Sequence, residues 1–532
     1  MPSYYMYDTI IIGGGHNGLI TAAYLAKAGK KVCVLERRGT LGGCATTEEL
    51  HPGFRFSPAA YVVSLLLPEV IAELRLKDYG YHVLRRDPSS ITFDGQGRHL
   101  VLGHDAKRNF ESISGFSKKD AEAFPAYEKM LTEIAERLEP LLKTVPPQLP
   151  TRHRKMGWLD KAKNLVGGMK QGLLMKRLLY ENPGAMEVLT GAADRILNRW
   201  FESDLLKGTL ATDAIIGAFH GPSSPGSAYV LLHHVMGDAG GARGVWGYIK
   251  GGMGGLANAL QQACCELKVD IKTEIEVNEI LVENGAACGV STSEGEFLGK
   301  SVASGVDANR TLLRMLDARH LPDEFIGQVR NIDYASASGK INLALDALPD
   351  FGVDPRLLRG TIHTTPDMHY IERGYQEALA GNFSSKPVLE MTIPSNVDDS
   401  LAPPGKHVLS MFVQYAPYQL SGDRHWDQEK DAWVENCIDT LQEFAPDIRD
   451  KILFTHAMTP LDLERTYGLT GGNIMQGAMH LHQLGPSRPL IGWSDHRTPV
   501  NRLYLCGAAS HPGGGVMGAC GRNAAGIILR DL

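Results

Sequence analysis

YDTIIIGGGHNGLITAAYLAKAGKKVCVLERRGTLGG, residues 7–43, is the stretch from which the fold can be read. YDTIIIGGG has the apolar run of a buried strand that enters a glycine turn. HNGLITAAYLAKAG continues as a helix closed by Gly29, and KVCVLE is a second short strand ending at Glu36. The whole unit takes about thirty residues, the size of a nucleotide-binding βαβ start. Gly13, Gly15 and Gly18 stand in GxGxxG spacing. Gly13 permits the tight turn, Gly15 lets backbone approach a pyrophosphate, and Gly18 lets helix and strand pack closely. The phosphates are expected at the helix amino terminus, where free N–H groups and the helix dipole favour anions. Glu36 ends the second strand, placed to accept hydrogen bonds from ribose hydroxyls.

Outward from this unit, Arg37, Arg38, Gly42 and Gly43 follow at once. A plain NAD domain has no reason to place a glycine pair just past the ribose acid. FAD enzymes of the glutathione-reductase type use such a pair to pass the backbone beside the cofactor, and Arg37 or Arg38 suits a phosphate. At the other end, LYLCGAASHPGGGVMGACGRNAA (503–525) gives a strand, a glycine turn and a closing helix. Gly513 to Gly518 formally repeats GxGxxG, but the chain ends too soon after it for a second strand and acid. A helix aimed at a flavin ring fits better, its N–H groups favouring negative charge on the pyrimidine side. His511 beside this turn is the one catalytic candidate.

Between the ends, residues 61–245 change pattern. AEAFPAYEKMLTEIAERLEPLLK (121–143) reads as helix, VPPQLP as a break, and 152–180 as a basic amphipathic stretch. That stretch reads either as a solvated helix pair over a pocket or as a peripheral membrane contact. Residues 251–268 predict a glycine turn and a helix, then short strands return as a meander. KINLALDA and HVLSMFVQY predict strands further on, with a helix around Trp433 to Phe444.

Composition narrows the classes. The chain has 532 residues, 43% hydrophobic and 21% charged, with a net charge of −6. Its length calls for two or three domains, and its charge disfavours nucleic-acid binding. The eight cysteines include no CxxC pair and no zinc-finger spacing, so neither a metal site nor dithiol chemistry is expected. Thr9 to Ala26 lacks formal charge, yet the glycines in its middle argue against a membrane span. No signal or transit segment is read at the amino terminus.

These segments, with PGFRFSPAAYVVSLL, KGGMGGLANAL and LERTYGLTGGNIMQGAMHL, resemble the phytoene desaturase-like FAD oxidoreductases. That family is a branch of the amine-oxidase-like flavoproteins, and the likeness lies near its bacterial carotene ketolases. The resemblance implies an α/β fold: a discontinuous Rossmann-type FAD domain (1–60, 245–330, 455–532) and a mixed α+β substrate domain (61–244, 331–454) that is mainly helical over 120–240. It implies that Gly13, Gly15, His16, Asn17 and Gly18 cradle the pyrophosphate. Glu36 would take the ribose, Arg37, Gly42 and Gly43 the adjoining edge, and Val277 the adenine side. Gly507, His511, Pro512 and Gly518 would line the flavin. The expected activity is hydride transfer between an apolar, isoprenoid or lipid-like substrate and flavin N5, with residues 54–66 and the helices of 120–240 forming an apolar pocket. An amine oxidase and a non-catalytic flavin-loaded regulator are the rivals. The location expected is cytoplasmic, at most peripheral to a membrane, or mitochondrial for a eukaryotic member. Oligomeric state is not legible.

Overall fold

The structure, a computed structural model, describes residues 6–151, 154, 157–239 and 244–532. Its nucleotide end is a five-stranded parallel sheet in the order Leu503–Leu505, Val302–Ser304, Thr9–Ile12, Val32–Leu35, Asp270–Lys272. Strands from three distant parts of the chain therefore complete one sheet. Thr9–Ile12 and Val32–Leu35 are buried at every position, as strands covered on both faces must be. One face is covered by the helix His16–Lys27, which packs on Gly254–Glu266 and on the tail helix Ala519–Asp531. That last contact explains a tail glycine: a Cβ on Gly521 would meet the Asn17 carbonyl at 2.4 Å. An antiparallel meander, Val277–Glu283, Ala286–Thr292 and Gly295–Leu298, bridges two strands of the sheet, as the alternating sequence there implies.

The second body is built on a seven-stranded mixed sheet. Its order is Ile452–Met458, Ser338–Leu345, His407–Gln414, Val388–Thr392, Thr361–His363, Ser90–Phe93, His99–Leu102. The strand Ile452–Met458 crosses residue 455, the expected domain boundary, and stays in this sheet by pairing with Ser338–Leu345. The helix expected at Trp433 begins earlier and spans Trp426–Gln442, burying Trp426 and Trp433. Helices Lys118–Leu142, Trp158–Glu181, Ala193–Trp200, Asp204–Thr212 and Ser227–Val235 form a cap beside the sheet. Ser117 starts the first of them, its hydroxyl accepting from the Asp120 amide. The cap's apolar core, including Phe124, Tyr127, Leu131, Leu206 and Leu231, also reaches Tyr415 and Met475. No described helix is long and apolar enough to cross a membrane.

Candidate active site

The first glycine turn is bare and open. Gly15 precedes the helix His16–Lys27 with extended backbone and no side-chain cap, so the first amides of that helix have no internal acceptor. The three motif glycines are required for different reasons. Gly13 has φ +94°, and a Cβ on Gly18 would sit 2.2 Å from the Gly13 carbonyl. A Cβ on Gly15 would meet only the Gly43 Cα, at 3.9 Å. The protein itself does not demand glycine at position 15, so the demand comes from what approaches the turn. Gly42 and Gly43 have positive φ and seat the second loop on the first: the Gly42 amide donates to the Gly14 carbonyl at 2.8 Å.

Glu36 is buried and already anchored. Its Oε2 accepts from the Gly14 amide at 2.7 Å and its Oε1 from the Arg38 amide at 2.9 Å. Each oxygen keeps a lone pair for a ribose hydroxyl. Glu36→Ala is expected to raise the Kd for FAD by about 10- to 100-fold, the worth of hydrogen bonds to a charged acceptor. Unchanged affinity on titration of the apoprotein would leave Glu36 as a turn-holding group only. Arg37 donates to the carbonyls of Arg465 and Thr466, tying this end to the helix Pro460–Tyr467. Arg38 pairs with Glu48 at 2.7 Å, while its Nη1 is buried without a partner among the described residues.

From this end a single cavity of about 720 Å3 runs into the substrate body. It is lined by Gly13, Gly15, His16, Asn17, Gly18, Glu36, Arg37, Gly42, Gly43, Val277 and Gly507, which the structure thus brings together. His16 is half-buried, and desolvation pushes its pKa down to about 4, so it is neutral near pH 7. The Asn17 Oδ1 accepts from the Gly521 amide at 3.3 Å.

His511, Pro512 and Gly518 do not line the cavity. His511 is buried, its Nε2 facing the Leu141 carbonyl at 3.2 Å, and burial pushes its pKa down to about 3. It packs the tail against the cap, so it is a packing residue and not the catalytic candidate that the sequence suggests. Gly518 has φ +77°, and a Cβ there would strike Ile20 at 2.8 Å. The helix end is therefore buried, and Gly515 and Val516 of the preceding turn meet the cavity instead. The glycine run serves close packing as well: a Cβ on Gly514 would sit 2.3 Å from the Met475 sulfur.

Several lining residues carry no signal in a single sequence. Gly305 approaches Gly507 so closely that a Cβ on the latter would lie 2.3 Å from the Gly305 carbonyl. Gln476 Oε1 accepts from the Ala509 amide at 3.0 Å. The loop bearing Met475 and Gln476 is held by Arg488, 1% exposed, whose guanidinium donates to the carbonyls of Met475, Gly477, Ala478, Gln483 and Ala508.

The substrate end is less apolar than the sequence implies. Leu102, Phe124, Leu131, Leu210, Ile216 and Leu231 give it apolar walls. Tyr61, Arg86, Asp213, His234, Lys340, His363 and Glu390 also line it. Tyr61 and Phe412 stack with centroids 6.1 Å apart, supplying aromatic faces the tail lacks. Cys44 lies in the cavity wall, and burial pushes its thiol up to about 12. All eight cysteines are free, and the adjacent Cys264 and Cys265 point apart, one buried and one exposed. Outside the chamber, Asp333, His480 and His482 bring ligand-type atoms within 4.8 Å of one another; His480 pairs with Asp333 at 3.3 Å and meets the His482 ring edge-on.

A Rossmann-type sheet whose open glycine turn leads without interruption into a chamber of the second body defines an FAD-dependent oxidoreductase. Its cradle suits the cofactor: a turn a side chain would fill, unpaired helix amides, an anchored acid and an unpartnered Arg38 nitrogen. The chain belongs to the flavin-containing amine oxidoreductase family, which it matches over residues 18–529. It is 42% identical to pyridine nucleotide-disulfide oxidoreductase domain-containing protein 2 of Mus musculus, over 99% of this chain and 94% of that one. It is 28% identical to a limonene dehydrogenase polypeptide of Castellaniella defragrans (99% and 95% covered). The phytoene desaturase (lycopene-forming) of Pseudescherichia vulneris is 25% identical (99% and 100% covered). A putrescine oxidase structure shares the fold, with a TM-score of 0.58 at 15% identity over 98% and 99% of the two chains.

Proposed function

We propose that the chain moves hydride between FAD and a substrate with an extended apolar body, of isoprenoid or lipid-like kind. The observation that carries this reading is the continuity of the cavity from Gly15 and Gly507 to the walls of Phe124, Leu131 and Leu231. Bound FAD supplies the two-electron chemistry. The chain's own part is to hold the cofactor by the glycine turns and Glu36, to orient the substrate along the apolar wall, and to exclude water behind the cap. The names of the limonene and phytoene relatives support an isoprenoid body.

Entry from a lipid surface fits the same reading. Trp158, Leu165, Met169, Leu173 and Tyr180 are 62–84% exposed on one helix, which packs on the chamber-lining helix Lys118–Leu142. Their spacing of seven, four, four and seven residues puts them on one face. Lys161, Lys163 and Lys170 lie on the same helix, a pattern suited to an anionic bilayer. Residues 152, 153, 155 and 156 of the basic stretch lie outside the described residues. A cytoplasmic protein bound peripherally through this helix is the arrangement we infer.

The test is anaerobic. FAD-loaded protein is mixed with a total lipid extract of its source cell, and the visible flavin band is followed. Bleaching, traced by fractionation to an isoprenoid or lipid, is the expected result. Bleaching by water-soluble amines alone would overturn the apolar assignment. Flotation of the same protein with anionic vesicles, lost in Trp158→Ser/Leu165→Ser/Leu173→Ser, tests the helix; equal flotation of both would remove it.

A further inference from the structure

Five neighbouring strands of the seven-stranded sheet place one side chain each in a single row. Lys340 pairs in register with Phe412, Phe412 with Glu390, Glu390 with His363, and His363 with Thr92. The first four line the chamber. Tyr61 closes over the row: its hydroxyl donates to Glu390 Oε1, and the Lys340 Nζ stands 3.5 Å above its ring centroid. His363 Nε2 lies 3.8 Å from Glu390 Oε2, and its Nδ1 lies 3.4 Å from the Thr92 hydroxyl, which accepts from Thr209. Lys340 is 2% exposed, and its Nζ has neither a hydrogen-bond acceptor nor an ion pair among the described residues.

An amine buried without an acceptor costs several kcal/mol when charged. Burial pushes the Lys340 pKa well down, with Glu390 opposing the shift. Glu390, despite its burial, is kept ionised by His363 and Tyr61. Desaturation of a hydrocarbon also releases a proton, but from a neighbouring C–H that makes no hydrogen bond to a polar group. A hydroxyl presents its proton directly to a polar acceptor, so a carbon bearing a hydroxyl is the better match for a buried polar row.

We infer that Lys340 is the proton acceptor for a hydroxyl on the carbon that gives up hydride, so that the substrate is an alcohol, or in reverse its carbonyl, on the apolar body proposed above. The inference rests on the oxidoreductase reading. The alcohol's C–H bond breaks and hydride leaves for FAD. The O–H bond breaks and its proton passes to Lys340 Nζ, while the carbon–oxygen double bond forms. The alcohol loses two electrons, which reduce FAD. The new ammonium is stabilised by the Tyr61 ring face and by Glu390. Tyr61, Glu390 and His363 are positioning residues. A cationic amine substrate would compete with Lys340 for the Tyr61 face.

Lys340 must be neutral to accept the proton. Flavin reduction is therefore expected to rise with pH through the Lys340 pKa and level off above it. Tyr61, Glu390, Asp213, Arg86, His363 and His234 face the same space and titrate or carry charge, so the limb must be assigned by substitution. Long-chain alcohols, matched hydrocarbons and matched amines are mixed anaerobically with holoprotein. The expected result is bleaching by alcohols, slowed about 10²- to 10⁴-fold in Lys340→Met with loss of the pH limb. A limb that persists in Lys340→Met overturns the role. A second readout needs no turnover: cyanate modifies neutral amines, so peptide mapping of treated holoprotein near pH 7 should find Lys340 carbamylated ahead of exposed Lys161 and Lys163. Lys340 modified no faster than those lysines overturns the proposal even if the variant is inactive through misfolding. Bleaching by hydrocarbons or amines but not alcohols overturns the alcohol inference and leaves the oxidoreductase standing. No bleaching by any class, with no reoxidation of chemically reduced flavin by matched carbonyls, overturns both.

Discussion

Gly15→Val is expected to yield a folded, colourless protein. The backbone at Gly15 lies at φ −66°, ψ 163°, a region β-branched residues occupy readily. Nothing of the protein lies nearer than 3.9 Å to the new Cβ. The fold should therefore survive, while the valine methyls fill the path by which a pyrophosphate reaches the helix amides. Losing two or three charge-assisted hydrogen bonds, each worth about 1.5–3 kcal/mol, weakens FAD by about 10²-fold or more. Two measurements separate this from misfolding. Circular dichroism should match the wild-type apoprotein, and the melting temperature should no longer rise with added FAD. A fully yellow variant would refute the reading of the turn. Gly18→Ala should behave differently, because its Cβ would sit 2.2 Å from the Gly13 carbonyl. The damage there is to helix–strand packing, with or without cofactor.

The second large effect is expected at Arg488. Arg488→Met keeps much of the side-chain volume but leaves the carbonyls of Met475, Gly477, Gln483 and Ala508 without their donor, while Ala478 keeps only Gln483 Nε2. Buried acceptors left unpaired cost about 1–3 kcal/mol each, so the loss should exceed about 3 kcal/mol even if some relax. Gly513 packs on the same guanidinium, where a Cβ would lie 3.2 Å from its Nε. The loop bearing Met475 and Gln476 and the turn bearing Gly515 should therefore loosen together. Denaturant melts should show the destabilisation, and protease should cut first within 475–488. Arg488→Lys should recover little, since one ammonium cannot reach five carbonyls in a plane. A variant with wild-type stability and flavin retention would remove Arg488 as the organiser of this wall.

The nucleotide end was legible because its constraints are local. A tight turn, a close helix and an anchored acid each need particular residue types at short spacing, and Gly13, Gly18 and Glu36 satisfy them within one βαβ unit. Val277 and Gly507 were placed on the cavity by family resemblance, with no local pattern to single them out. His511 misled because histidine beside a glycine turn carries no information about which way it faces. Its partner, the Leu141 carbonyl, lies 370 residues away. The apolar pocket expected from 54–66 and the cap helices was half right, since Phe124 and Leu131 line the chamber and Tyr61 brings a polar tip. Lys340 and Glu390 sit in strands whose apolar character hides them, and His363 in a strand of three residues.

By itself, then, the sequence determined the open glycine cradle, because contacts within about forty residues suffice for it, and through the family resemblance carried by motifs along the whole chain it indicated FAD and an oxidoreductase. The floor of the chamber depended on the tertiary structure. Lys340, Phe412, Glu390, His363 and Thr92 span much of the chain and share one row only through strand register. Register follows each strand's buried face and its turns, but which strands become neighbours is decided by the whole fold, and no local spacing records it.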